Sequence, residues 1–266
     1  MKHARTLACT CAHHRLLQTY DLREIDAADR HDLFSLKYLA RLEAVVQAAR
    51  ARVGPAGSVL EVGCSQANAG LLLAEAGLSV LAIDLLPEAL TYARAKYTRG
   101  TFRAVAGSAE ALPVTDGYFD CVILGELLEH CADPPQIVAQ AARALRPGGF
   151  LLVTTPNGRY RSAGLPLYQS GAADEQLRAR QFGAEGADHL FAFTGESLQN
   201  LLREAGLRPV QLSYLGSALF SNRLGWGKRR LEPDSLQRLA RTLNRLPGVG
   251  RRFAPTLLAL AQKTGS

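Results

Sequence analysis

The chain has 266 residues, is 47% hydrophobic and carries a formal net charge of +7. That length suits one large domain, or one domain with an appended cap, and the apolar fraction is enough for a sizeable core. No run approaches the ~20 uninterrupted apolar residues of a membrane span, no apolar signal region opens the chain, and its five cysteines show no framework spacing. A disulfide scaffold is excluded on that ground, and the expected compartment is the reducing cytoplasm.

Residues 1–30 show no periodicity and read as an arm or leader. Within them Cys9, Cys11, His13 and His14 offer four possible metal ligands close together. Structural zinc sites usually draw ligand pairs from two separated elements, so no metal is expected. Asp32 to Arg52 reads as an amphipathic helix with Leu33, Leu36, Leu39, Leu42 and Val46 along its apolar side. Residues 1–57 are therefore taken as an N-terminal arm and helix, ahead of a domain over 58–266.

Val59 to Val62 is short, apolar and bounded by turn residues, the pattern of a buried strand. Gly63 allows a sharp turn, and Gln66 to Ala76 reads as the following helix. A second apolar strand, Ser79 to Ile83, ends at Asp84, about 20 residues after Gly63. A βαβ unit with an acid at that position holds a ribose by its hydroxyls. The dinucleotide fingerprint is broken, because Ser65 and Asn68 stand where its second and third glycines belong. Further strands are predicted near 102–105, 119–124 and 149–154, with helices between them, one of them running from Asp133-Pro134 to Leu145. This alternation predicts a parallel sheet covered on both faces, with ligands at the C-terminal strand ends.

Taken together, Glu61-Val-Gly-Cys64, Asp84, Gly107-Ser-Ala-Glu-Ala-Leu-Pro113, Glu129-His130 and Arg146-Pro-Gly-Gly149 resemble class I S-adenosylmethionine-dependent methyltransferases. The likeness is greatest to the small-molecule branch that includes quinone-biosynthesis O-methyltransferases, and it covers Ser58 to Asn157 best. The resemblance implies an α/β, doubly wound, seven-stranded and mostly parallel sheet with an N-terminal helical arm and a lid insertion. It implies S-adenosylmethionine as cofactor, with contacts from Glu61, Gly63, Cys64, Ser65, Asp84, Leu85, Ser108, Ala109, Gly125 and Glu126. Two departures stand out. Ser65 and Ala67 replace two glycines of the family loop, and any left-handed backbone there costs on the order of 1 kcal/mol per site. Ser108 stands where relatives commonly carry an aspartate for the adenine amino group, and a hydroxyl accepts that bond less strongly.

Asn157 to Ala192 interrupts the rhythm with Gly and polar residues, and includes Tyr160, Tyr168, Asp188 and His189. The residues alone allow a disordered excursion or a lid over 157–192, and the resemblance implies the lid. Thr194, with Glu196 and Gly206 as start and stop signals, frames a helix through Ala205. Val210–Tyr214 and Thr256–Ala261 supply two final strands, which the resemblance pairs antiparallel at the sheet edge. Between them, the stretch from Arg223 to Arg252 carries the excess positive charge. Leu236, Leu239, Ala240, Leu243 and Leu246 fall on one side of a helix over 234–246, and Arg238, Arg241 and Arg245 on the other. Such a helix either docks on the core with a solvated basic face or meets anionic lipid or an anionic acceptor. Nucleic acid is disfavoured, because the helix has no aromatics for stacking.

Methyl transfer from a sulfonium needs alignment and exclusion of water, with no nucleophilic side chain. A base helps when the acceptor is a hydroxyl. His130, just after the fourth strand, is the first candidate base or else a residue that shapes the pocket; His189 on the lid is the second. Cys64 and Cys121 read as packing residues. The leading expectation is O-methylation of a small-molecule, lipid-linked or sugar acceptor. The rivals are a methyltransferase acting on nitrogen, carbon or a macromolecule, and a cofactor-binding protein without catalysis. Oligomeric state and acceptor identity are not written in the motifs.

Overall fold

The computed structural model describes residues 33–160, 164–169, 175–181, 189–216, 239, 242–244, 246 and 248–265. Strands β1 (Ser58–Val62), β2 (Ser79–Asp84), β3 (Thr101–Ala106), β4 (Phe119–Gly125), β5 (Leu145–Pro156), β6 (Leu207–Leu215) and β7 (Thr256–Lys263) build one sheet. Its order is β3-β2-β1-β4-β5-β7-β6. The first five strands run parallel, while β7 is antiparallel to both β5 and β6. Strand order reverses between β1 and β4, which opens a crevice at their C-terminal ends.

Helices α1 (Leu33–Arg50), α2 (Asn68–Glu75), α3 (Pro87–Lys96), α4 (Pro134–Ala144), α5 (Glu175–Gln181), α6 (Gly195–Glu204) and α7 (Val249–Phe253) are joined by a 3₁₀ turn over Leu128–His130. Side chains alternate between the faces of a strand, and the core divides accordingly. Leu60 and Val62 pack in one cluster with Ile137 and Val138 of α4 and Leu198 and Leu201 of α6. Val59 packs in the other, with Val45 and Ala49 of α1 and Leu73 of α2. Helices thus cover both faces, as a doubly wound sheet requires.

Several local readings change. The helix expected from Gln66 begins at Asn68, because Ala67 takes a left-handed conformation (φ 52°) as its N-cap. Arg146-Pro-Gly-Gly149 does not lie between helix and strand. It lies within β5, at a register shift opposite Phe119 and Cys121. Gly149 fits there because a Cβ would stand 3.0 Å from the carbonyl oxygens of Phe119 and Arg146. The start of α6 uses Ser197, not Glu196: the Ser197 N–H donates to Thr194 Oγ1 at 3.0 Å, and the Thr194 N–H donates to Ser197 Oγ at 3.0 Å. Among the described side chains of α1, Val45 and Ala49 are the most buried, and Leu42 and Val46 of the predicted stripe pack partly buried against the same cluster.

The arm with Cys9, Cys11, His13 and His14 lies outside the described residues, as do Arg238, Arg241 and Arg245 of the predicted basic helix. Leu239 and Leu246 of that helix are described and are exposed by 40% and 51%. Among the described residues, no helix is long and apolar enough to cross a membrane.

Candidate active site

The sharp turn after β1 is built from left-handed residues. Gly63 has φ 63°, Ser65 φ 45° and Ala67 φ 52°. At Gly63 a Cβ would also stand 2.7 Å from Leu127 Cδ1. Ser65 and Ala67 adopt glycine-like backbone without being glycine, at about 1–2 kcal/mol each. Two acids hold the turn. Asp84, at the end of β2, accepts the Ser65 N–H at 2.7 Å through one oxygen and the Leu86 N–H at 2.9 Å through the other. Burial pushes the Asp84 carboxyl up, and those N–H groups oppose the shift. Glu61, within β1, accepts the Gly70 N–H at 2.8 Å and so satisfies an N-terminal donor of α2. Gly70 is required for that approach, since a Cβ would stand 2.5 Å from the carboxylate oxygen.

Burial raises the Glu61 carboxyl to about 7, against the lowering pull of the Gly70 N–H and Lys96. The folded chain therefore holds this proton more tightly than the unfolded chain. The stability that follows is complete below about 4.5 and is lost as pH rises through about 7. Urea titrations should show stability falling across that window by up to roughly 3 kcal/mol from this group. Glu61→Gln keeps the acceptor for Gly70 and should flatten the fall; an unchanged slope would place the proton elsewhere.

Beyond Asp84 the rim carries Leu85, 56% exposed, an apolar surface beside the acid. After β3, Ser108 Oγ accepts the Glu110 N–H at 3.1 Å, and Ala109 packs against the main core. Cys64 is buried at 7% exposure, and its thiol donates to the Ser65 carbonyl at 3.7 Å within the turn. Burial pushes the thiols of Cys121 and Cys131 up to about 12 and that of Cys64 well up too, which leaves them as packing groups.

The β4 end supplies the other half of the site. A Cβ on Gly125 would meet nothing nearer than Thr154 Oγ1 at 3.9 Å, so internal packing does not demand a glycine there. Glu126 follows with φ 52°, its N–H donating to the Thr154 carbonyl at 2.9 Å and its carboxylate paired with Arg41 of α1 at 3.1 Å. Glu129 is fully buried and accepts the Thr155 hydroxyl at 3.0 Å. Burial, reinforced by the charge of Glu126, pushes its carboxyl well up and favours the neutral acid. His130 meets His189 edge to face, with ring centroids 4.7 Å apart. The ligand atoms of Glu129, His130 and His189 lie within 4.8 Å of one another, a grouping with the chemistry to hold a metal ion.

Described parts of the 157–192 insertion close over this end. The Leu190 N–H donates to the Glu129 carbonyl at 2.7 Å, and Gln181 accepts the Ala132 N–H at 2.6 Å. Arg178 reaches Glu110 and Asp133 at 3.3 Å each. Tyr168 packs on Phe191 and Phe193.

Apart from Glu61, the sequence-predicted site residues gather at one sheet end. Gly63, Cys64, Ser65, Asp84 and Leu85 surround the β1 and β2 ends, Ser108 and Ala109 follow β3, and Gly125 and Glu126 close β4. Glu61 lies one step beneath them, inside β1. Sequence reasoning missed Tyr38 and Arg41 of α1 and Lys96 of α3, which reach Asn68, Glu126 and Gln66. The only local sign of the first two was their i,i+3 spacing on the polar side of a helix.

Residues 60–153 match the methyltransferase domain family. A probable S-adenosylmethionine-dependent methyltransferase of Mycolicibacterium smegmatis is 32% identical over 54% of this chain and 58% of its own length. A ubiquinone biosynthesis O-methyltransferase of Hydrogenovibrio crunogenus is 32% identical over 56% and 61%. The chain thus spans about three fifths of these relatives. Among solved structures, the complex of the Haloferax volcanii Trm112 methyltransferase activator with its methyltransferase contains a chain with TM-score 0.62 and 20% identity. That superposition covers 97% of this chain and 100% of the other, and shows the shared fold. With the five motifs in order on the sheet that this fold requires, residues 60–153 form a methyltransferase domain, similar to those of S-adenosylmethionine-dependent methyltransferases.

Proposed function

We propose that the protein moves the methyl group of S-adenosylmethionine to a hydroxyl oxygen of a small-molecule acceptor, using His130 as the base. The observation that carries this reading is the His130–His189 pair beside the β4 end, next to the strand end where Gly125 leaves room.

The residues fit the cofactor. Asp84 offers the ribose a carboxylate already oriented by two N–H groups, and exposed Leu85 offers the adenine an apolar neighbour. Ser108 stands near the same edge. At the other end, Glu126 Oε1, Glu129 Oε1 and Thr154 Oγ1 are buried acceptors without a hydrogen-bond partner among the described residues. An ammonium group is the donor that such oxygens suit. When bound, S-adenosylmethionine supplies a methyl carbon already activated by its sulfonium. His130 would take the proton of the acceptor hydroxyl, and the bound cofactor would supply the methyl group and the sulfur that leaves with its bonding pair. The insertion over 157–192 acts as a lid: Arg178, Gln181 and Leu190 tie it down over the site and exclude water.

The relatives named for ubiquinone biosynthesis support an oxygen acceptor, and the basic stretch from Arg223 to Arg252 suits one that is anionic or lipid-linked. We place the activity in the cytoplasm. The test is incubation with methyl-labelled S-adenosylmethionine and a panel of phenols, carboxylic acids and amines, read by mass spectrometry. Label on a hydroxyl oxygen is the expected result. Label only on nitrogen or carbon, or none while S-adenosylhomocysteine still binds, would overturn it. Turnover lost in EDTA and restored by a divalent cation would recast Glu129, His130 and His189 as ligands, not base.

A further inference from the structure

Lys96, the last residue of α3, is 6% exposed, a depth at which an ammonium survives only when paired. Its Nζ donates to Asn68 Oδ1 at 2.5 Å and to Gln66 Oε1 at 3.1 Å, and lies 5.2 Å from the Tyr92 ring centroid. Asn68 in turn donates to the hydroxyl of Tyr38 on α1. Gln66 and Asn68 are the two neighbours of Ala67, whose backbone is left-handed, as is that of Ser65. A buried cation therefore grips both sides of a turn that lacks two of the family's glycines and still adopts their conformation.

We propose that Lys96 is a positioning residue for cofactor binding: from beneath the β1–α2 turn it clamps the side chains flanking Ala67 and keeps the turn in its left-handed, cofactor-accepting shape. The proposal rests on the reading of that turn as the cofactor site. A glycine loop needs no such clamp, because glycine enters the left-handed region freely. Here the shape must be imposed from outside the turn. The cross-links run to Lys96 below, to Asp84 from β2 and, through Asn68, to Tyr38 of α1.

The experiment measures S-adenosylhomocysteine affinity by calorimetry in Lys96→Met, in Ser65→Gly/Ala67→Gly, and in the three substitutions combined. Lys96→Met should raise Kd about 10–100-fold. In turnover, the loss should appear in KM for S-adenosylmethionine, with kcat changed by only a few-fold. In the two-glycine background the same substitution should cost less than about threefold, because the turn no longer needs to be held. Parental affinity in Lys96→Met, or an equal penalty in both backgrounds, would overturn the proposal. Asp84→Ala serves as control. If it weakens binding while Lys96→Met does not, only the Lys96 proposal fails; if neither weakens it, the cofactor-site reading fails. Should Lys96→Met not fold, Gln66→Ala removes one acceptor and leaves the ammonium paired through Asn68. It should raise Kd with the same dependence on background, and parental binding would again overturn the idea.

Discussion

His130→Ala is expected to lower kcat by about 10²–10⁴ while leaving S-adenosylhomocysteine affinity within a few-fold. The separation follows from position. His130 closes the 3₁₀ turn after β4 and touches His189 from the insertion, whereas Gly63, Ser65 and Asp84 lie at the β1 and β2 ends. Removing the imidazole therefore strands the acceptor proton without disturbing the ribose contacts. The acid limb of the pH–rate profile, which reports protonation of the base, should vanish with it. Near-normal turnover in His130→Ala, together with a deep loss in His189→Ala, would transfer the role to the insertion. Near-normal turnover in both would leave orientation alone as the source of catalysis, a workable outcome for a reagent that carries its own activation.

Asp84→Ala should weaken S-adenosylhomocysteine by about 10–100-fold, or roughly 1.5–3 kcal/mol. Two losses add. The ribose loses its charged acceptor, and the Ser65 N–H, held at 2.7 Å, loses the bond that helps fix a non-glycine left-handed residue. Asp84→Asn keeps one carbonyl acceptor and should lie between the variant and the parent. NAD bound as well as S-adenosylhomocysteine by calorimetry would contradict the ribose-and-sulfonium assignment. An Asp84→Ala protein with parental affinity would move the cofactor off this strand edge.

The contrast between these two variants matches what each half of the site owes to local sequence. The β1–Gly63–α2–β2–Asp84 unit was legible without any structure. Its strands are short apolar runs bounded by turn residues, and the acid sits at a strand end by simple counting. The alternation through β5 was equally visible, since burial on both faces makes strand positions continuous apolar runs, while the antiparallel end of the sheet came only from the family resemblance. Positions 65 and 67 could be marked as departures, but a sequence does not say whether the backbone there is left-handed. The fold imposes φ 45° and 52° on them.

Contacts between distant segments were decided by tertiary structure alone. His130 and His189 became a pair because the insertion returns along the β4 end, where the Leu190 N–H finds the Glu129 carbonyl. Nothing next to Glu129 in sequence announces its burial, and it is fully buried under that return. Lys96 looks like the usual basic last turn of a helix, a good partner for the helix dipole. Its burial against Gln66 and Asn68 arises only when β2 and α3 fold back beside β1. Periodicity encodes which face of an element meets the core, because that is a property of successive residues. Which charged side chain a turn is pressed against depends on chain crossings between segments far apart in sequence, and no window of neighbouring residues carries that information.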